Sequence, residues 1–360
     1  MRASAGWIVC ISVKLLMGSA TLSAAGLGLP VLTYPADNPP APAKIALGKQ
    51  LFHDKRLSVD GTTSCATCHI ADKAFTDGLP VAQGIAGQRG TRNTPTLWNV
   101  AFEKNFFWDG RRATLEEQIK DPFINPREHG FTDHDQVVQF IQRDLAYRQA
   151  FKKSFSISAK AITIDHVAQA IASFVRTLIA GDSPFDRYYY GGDKKALSPS
   201  AMRGLELFQG RARCAQCHLI GETSALLADN QFHSLGVGYD KIEPRLAEIT
   251  LRMAKRGEQP LDHAILGEAD ISELGRFVVT LNPQDIAKFR TPSLRNVAFT
   301  APYMHDGSVA TLEEAVNLEL YYRGIESGQP LVLTAQEKSD LLDFLKALTS
   351  AAAQTPGKLR

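Results

Sequence analysis

Apolar positions recur at helical spacing over 135–151, 164–180, 311–323 and 335–348. In the second of these, Ile164, Val167, Ala168, Ile171, Phe174, Val175 and Leu178 step by three and four, which puts one stripe on a 3.6-residue helix. Strict alternation, the mark of a half-buried strand, is scarce. The pattern therefore predicts a mainly α protein. Within 219–290 the periodicity breaks up, and Gly236-Val237-Gly238 with charged turns predicts loops and short helices. The stretch from Asp182 to Gly192 reads as the linker between two halves.

The halves repeat. Thr94-Pro95-Thr96-Leu97-Trp98-Asn99-Val100-Ala101-Phe102 recurs as Thr291-Pro292-Ser293-Leu294-Arg295-Asn296-Val297-Ala298-Phe299, an offset of 291 − 94 = 197. Asp109-Gly110 and Asp306-Gly307 keep that offset, as do Thr114-Leu115-Glu116-Glu117 and Thr311-Leu312-Glu313-Glu314. Two Cys-x-x-Cys-His motifs lie upstream, Cys65-Ala66-Thr67-Cys68-His69 and Cys214-Ala215-Gln216-Cys217-His218, offset by 214 − 65 = 149. The second half thus carries 197 − 149 = 48 extra residues after its motif, within 219–290.

In such a motif two thiols add to the vinyl groups of a haem and the adjacent histidine becomes an axial ligand to iron. A redox disulfide or half a zinc site needs no histidine directly after the second cysteine, and here it stands there twice. The expectation is two covalently bound haem c groups, held by Cys65, Cys68 and His69 and by Cys214, Cys217 and His218. The fifth cysteine, Cys10, belongs to a segment with a basic start at Arg2, an apolar run and small residues at Ser23-Ala24-Ala25, which reads as a secretory leader cleaved near Ala25 and implies a periplasmic protein. Lys14 interrupts that run and leaves it short for a membrane span. The expected organisation is a leader at 1–25, a first haem domain at 26–190, a second at 191–350 and a tail at 351–360, two cytochrome c-like domains related by internal duplication. Losing Arg2 and Lys14 takes Lys+Arg from 40 to 38, level with the 38 Asp+Glu, a balance that gives no reason to expect nucleic acid or a membrane surface as a partner.

The second axial position decides what each haem does. A second strong ligand favours electron transfer, and a vacancy favours peroxide or oxygen chemistry. At the common offset Trp108 corresponds to His305, Gln118 to Ala315 and Pro122 to Glu319. Between His69 and Glu128 there is neither histidine nor methionine, so the first haem reads as open to peroxide. Glu128 with Gln118 could move a proton between the two peroxide oxygens; Glu128 reads equally well as a solvated loop carboxylate. Trp108 by itself reads as core packing, and histidines 53, 129, 134, 166, 233 and 263 fit no ligation pattern.

These motifs, together with Leu47-Gly48-Lys49-Gln50-Leu51-Phe52, Arg92-Asn93-Thr94-Pro95, Phe107-Trp108-Asp109-Gly110-Arg111 and Ala301-Pro302-Tyr303-Met304-His305-Asp306-Gly307, resemble the bacterial di-haem cytochrome c peroxidase and MauG superfamily over nearly all of the chain after the leader. The resemblance implies that Trp108 lies between the haems and relays charge, and that Gln118, Pro122 and Glu128 line the peroxide site. It also implies one calcium ion held by Asn93 and the backbone oxygens of Thr300 and Pro302, oxygen donors that suit a hard cation. Family peroxidases carry a first-haem distal histidine where this chain has Gly84-Ile85-Ala86, and MauG-like members lack it. The second haem's distal ligand is methionine in the peroxidases and tyrosine in MauG. Here Tyr321 or Tyr322 is the favoured counterpart, with Glu319, reached by ungapped counting, in competition. The expected activity is MauG-like oxidation of a partner protein by hydrogen peroxide. The alternatives are peroxide detoxification fed by a small cytochrome or copper protein, and a non-enzymatic electron carrier.

Overall fold

The computed structural model describes residues 26–256 and 261–354. The leader with Cys10, and the end of the tail, lie outside the described residues. Six helices carry the architecture: α1 (Pro42–His53), α2 (Leu115–Ile124), α3 (Ile164–Val175), α4 (Pro199–Gln209), α5 (Leu312–Ser327) and α6 (Ala335–Lys346). Shorter helices and turns fill the rest. The one sheet among the described residues is an antiparallel pair, β1 (Phe232–His233) with β2 (Phe289–Arg290), in the register Phe232↔Arg290.

Each half is built on a crossed pair of helices, α1 with α3 and α4 with α6, and the same device brings both pairs together. A Cβ at Gly48 would collide with the Ala170 carbonyl, and one at Gly204 with the Asp340 carbonyl, so the backbones approach closely only because both residues are glycine. One turn on, Phe52 packs edge-on against Phe174 with ring centroids 5.2 Å apart, and Phe208 meets Phe344 at 5.0 Å. The turns also repeat. Asn99 and Asn296 both take a left-handed φ of 63°, and their side-chain oxygens accept from the amides of Ala180 and Ser350. Thr114 with Glu117 and Thr311 with Glu314 form capping boxes that start α2 and α5.

The predicted helix over 135–151 is two helices, His134–Arg143 and Leu145–Phe155. Asp144 divides them, because its carboxylate accepts from the Tyr147 amide as an N-cap and also pairs with Arg56. The helix expected over 164–180 stops at Val175, where the chain turns to let Asn99 hold both the N–H and the C=O of Ala180. The linker expected between Asp182 and Gly192 is instead largely a packed helix, Pro184–Tyr189. Phe185 is fully buried, and Asp186 makes a bidentate ion pair with Arg295 at 2.8 and 2.9 Å. The change of core falls between Ala180, which packs in the first, and Phe185, which packs in the second.

The extra residues of the second half form a third small core around Ile242, Ile249, Ile265, Leu274 and Phe277. β1 and β2 clip together the two ends of this insertion. It docks on the first half as well as on its own, where Glu273 meets His305 and Lys241 meets Asp306. Thr91 donates to the Ile265 carbonyl, Arg92 to that of Ser272, and Arg276 donates to the carbonyls of Asp109 and Gly110.

Replacing Gly204 by Ala forces the α4–α6 pair apart, with an expected cost of about 1–3 kcal/mol, the range for overpacking a filled core. Denaturant unfolding of the haem-loaded protein measures it, and an unchanged midpoint would show that this crossing tolerates a wider spacing.

Candidate active site

Two cavities flank the centre of the molecule. The first is lined by Cys65, Cys68 and His69, and the second by Cys214, Cys217 and His218. His69 donates from Nδ1 to the Phe75 carbonyl at 2.9 Å, and His218 likewise to Leu227 at 2.8 Å. Burial lowers the pKa of both rings, His218 to about 4, so each is a neutral imidazole whose tautomer leaves Nε2 as the donor to a metal. Burial pushes the Cys65, Cys68 and Cys214 thiols up to about 12, so they are protonated.

Buried donors without a partner test whether a haem fits. Arg92 lines the first cavity with its side chain 7% exposed, and its Nε and Nη1 have no hydrogen-bond partner. Its closest carboxylate, Asp109, is 3.9 Å away. A buried guanidinium left this way is costly unless an anion meets it, and the propionates of a haem are anions of the right kind. Trp98, on the wall of the second cavity, also has a buried and unpartnered N–H. Both cavities thus present thiols, a histidine with one free nitrogen, and a buried donor awaiting an acceptor, which is what a covalently bound haem requires.

The repeat extends to the linings. Leu115, Gln118, Ile119 and Pro122 of α2 face the first cavity, and their counterparts Leu312, Ala315, Val316 and Glu319 of α5 face the second. Glu128 joins Gln118 and Pro122 in the first. Its carboxylate is close enough to help raise both thiols there. Gly84 also lines that cavity, and the Ile85 amide is held by the Glu128 carbonyl, so the segment 84–86 presents no ligand.

The distal candidates for the second haem separate by helix geometry. Glu319 lines the second cavity, with Arg323 one turn on at 3.7 Å. Tyr321 and Tyr322 do not line it, contrary to the preference for tyrosine. At 100° per residue Tyr321 lies on the far side of α5 from Glu319, 62% exposed, and Tyr322 packs against Gly236.

One wall serves both cavities. Asn93, Thr94, Pro95, Thr96, Glu103, Trp108 and Arg290 line the first and the second alike. Trp108 is fixed at both ends, donating from Nε1 to the Asn93 carbonyl at 2.9 Å while its own carbonyl accepts from the Arg290 amide at 2.8 Å. Glu103 and Arg290 pair at 2.9 Å in the same wall, where burial raises the Glu103 pKa and the neighbouring guanidinium opposes it. Asn93 donates its amide nitrogen to the carbonyls of Leu79 and Pro80, and Thr300 and Pro302 line the second cavity with it.

Comparison with known proteins agrees with this arrangement. The chain is 37% identical over 334 residues to the cytochrome-c peroxidase IdrP1 of Pseudomonas sp. (strain SCT), covering 89% of this chain and 84% of that one. It belongs to the di-haem cytochrome c peroxidase family. The family model for di-haem cytochrome c peroxidase matches residues 42–195. The methylamine utilization protein MauG of Methylorubrum extorquens is 35% identical over 327 residues, 89% of this chain and 82% of that one. The crystal structure of a MauG-like protein associated with microbial copper homeostasis superposes with a TM-score of 0.73 at 34% identity, covering 91% of this chain and 95% of that one. As a family member the chain is an oxidoreductase whose cofactors are two haem c groups.

Several lining residues of this di-haem protein went unread in its sequence. His129, which fits no ligation pattern in the sequence, is buried in the first cavity, and its Nδ1 donates to the Leu57 carbonyl at 2.5 Å. His233 lines the second cavity beside Asp229 at 2.7 Å. The Cys217 thiol and Asp229 together raise His233 to about 9. Both histidines come from chain segments that only folding brings to the motifs. Arg92, Glu103 and Arg290 carry no motif of their own beyond the run Arg92-Asn93-Thr94-Pro95.

Because Glu319 alone of the three distal candidates reaches the cavity, Glu319→Gln should shift the electron paramagnetic resonance signal of the second haem while both haems stay attached. A spectrum left unmoved would place the distal ligand elsewhere.

Proposed function

We propose that the chain reduces hydrogen peroxide at its first haem and uses the oxidising equivalents, shared with the second, to oxidise a partner protein. The observation that carries this reading is the first cavity itself, where Gln118, Pro122 and Glu128 gather and the segment 84–86 offers no ligand. The haems supply the electrons that reduce peroxide and hold the equivalents that remain. Glu128 takes a proton from one peroxide oxygen and returns it to the other, and a positioned group of this kind contributes about 10²–10⁴-fold. Gln118, one turn before Pro122 on α2, orients the peroxide through its carboxamide. Pro122 presents neither a side-chain ligand nor an N–H. Trp108, held at both ends in the shared wall, passes an electron from the second cavity to the first. Glu319, backed by Arg323 on the second cavity, would serve the second haem as an anionic oxygen donor, the kind that favours the oxidised metal.

The relatives named cytochrome-c peroxidase support a second reading, in which a small cytochrome or copper protein feeds electrons for peroxide removal. A partner consumed stoichiometrically and left covalently altered favours the first reading; a partner cycling between two redox states favours the second. On either reading we place the mature protein in the periplasm, its leader removed near Ala25, with one calcium ion at Asn93, Thr300 and Pro302. Among the described residues no helix is long and apolar enough to cross a membrane.

The oxidised protein as isolated should show one high-spin and one low-spin ferric haem, without prior reduction. Two low-spin signals would revive the electron-carrier reading, and a return to high spin in His129→Ala would then name His129 as the unexpected ligand.

Two variants divide the proposed chemistry. Glu128→Gln should slow reaction with peroxide by about 10²-fold with haem content unchanged. Trp108→Phe should still consume peroxide at the first haem but lose most oxidation of the second, because the aromatic bulk remains while the easily oxidised ring and its N–H are gone. Stopped-flow spectra of both haems report each result. An undiminished rate in the first variant, or two-haem oxidation in the second, would remove that residue from the mechanism.

A further inference from the structure

The tyrosines that do not reach the second cavity occupy a position of their own. Tyr321 and Tyr322 stack edge-on, with ring centroids 5.2 Å apart and planes at 75°. Tyr322 packs against Gly236 so closely that a Cβ there would stand 2.5 Å from its Cε1 and 2.8 Å from its hydroxyl. Gly236 lies between Leu235 and Val237, both of which line the second cavity, and the residue after Tyr322, Arg323, lines it too. Tyr321 is 62% exposed. One ring of the pair thus rests on the cavity wall and the other stands in solvent. Packing does not account for Tyr321, which leaves most of its large apolar surface in water beside Ile325, itself 59% exposed.

We propose that Tyr322 and Tyr321 form a redox exit from the second haem to the surface, where one-electron aromatic donors, such as a phenol or a tyrosine or tryptophan side chain of a partner, are oxidised without entering the cavity. The proposal rests on the peroxide reading above. Reduction of one hydrogen peroxide to two waters takes two electrons and two protons, so each turnover draws two single electrons through the pair. In each pass Tyr322 gives one electron inward and releases its hydroxyl proton. Tyr321 restores both, becoming a neutral phenoxyl radical at the surface. That radical then takes one electron and one proton from the external donor, which leaves oxidised by one electron. No group is transferred and the two phenols end unchanged.

The test uses the haem-loaded protein, mixed with hydrogen peroxide in the absence of a donor, and follows haem spectra and freeze-quenched radicals in the same samples. The expected result is a tyrosyl signal in the native protein that is lost in Tyr322→Phe. With a nitroxide trap, or at high protein concentration, the adduct or the dityrosine-linked dimer should map by mass spectrometry to Tyr321 and be lost in Tyr321→Phe, an exposed change that leaves packing intact. If both haems respond to peroxide and no tyrosyl radical forms, or if the signal survives in Tyr322→Phe, as it would if it arose at Tyr188, Tyr189 or Tyr190, the exit is wrong and the peroxide reading stands. If the haems themselves fail to respond, both are overturned.

Discussion

The wall between the two cavities is the constraint on which the rest of the molecule depends. It separates the two haem cavities by a single layer, with seven residues that face both sides. A wall this thin cannot be built from one half alone. Asn93 to Thr96, Glu103 and Trp108 come from the first half, and Arg290 comes from the end of the insertion in the second. The buried Glu103–Arg290 pair crosses that boundary, and removing one member would strand the other, which typically costs about 3–5 kcal/mol. The insertion supports the wall from behind, since Arg276 holds the carbonyls of Asp109 and Gly110 and so fixes the turn that carries Trp108. Arg92 completes the tie, stacked 4.7 Å over Phe289 while donating to Ser272.

Around that wall the two halves repeat one scaffold and differ where chemistry is decided. The glycine crossings, the paired phenylalanines, the left-handed asparagines and the capping boxes recur, because each solves a backbone problem common to both halves. The cavity-facing positions of α2 and α5 recur in place but not in kind. Pro122 faces Glu319 across the repeat, Gln118 faces Ala315, and Trp108 faces His305. His305 is buried and bonded to Glu273 at 2.6 Å, and it stacks on Phe289 at 3.6 Å. Where one half presents an oxidisable ring to the wall, the other places a structural histidine. An asymmetric pair is what a reaction with one oxidant entry and one exit needs.

The features legible in the sequence are those whose physics is local. Cys-x-x-Cys-His binds by adjacency, the repeat is visible as identity at fixed offset, and α3 and α6 follow from a single apolar stripe. The failures each have a long-range cause. Asp144 splits a continuous stripe as the N-cap of the second helix, and Arg56, far back in the chain, holds its carboxylate in that place. The turn-rich stretch from Asp182 is a packed helix because Arg295 needs Asp186. His129 and His233 were unreadable as lining residues, since nothing nearby in sequence marks which face of the chain meets a cavity. Glu319 was legible by ungapped counting, and the tyrosines drew attention only because the family uses one.

That last case shows how narrow the margin is on a helix. Moving a ligand from Glu319 to Tyr322 would take a rotation of about 60° about the helix axis and a shift of about 4.5 Å along it, and α5 permits neither. Its start is fixed by the Thr311–Glu314 capping box and its inner face by Ala315, Val316 and Leu320, all nearly inaccessible to solvent. With the register set, the carboxylate faces the cavity beside the Arg323 cation, Tyr321 is carried to the far side, and Tyr322 lies on the flank against Gly236. A tyrosine ligand and a tyrosine relay are therefore exclusive uses of one helix. The register of α5 puts Glu319, and neither tyrosine, on the cavity.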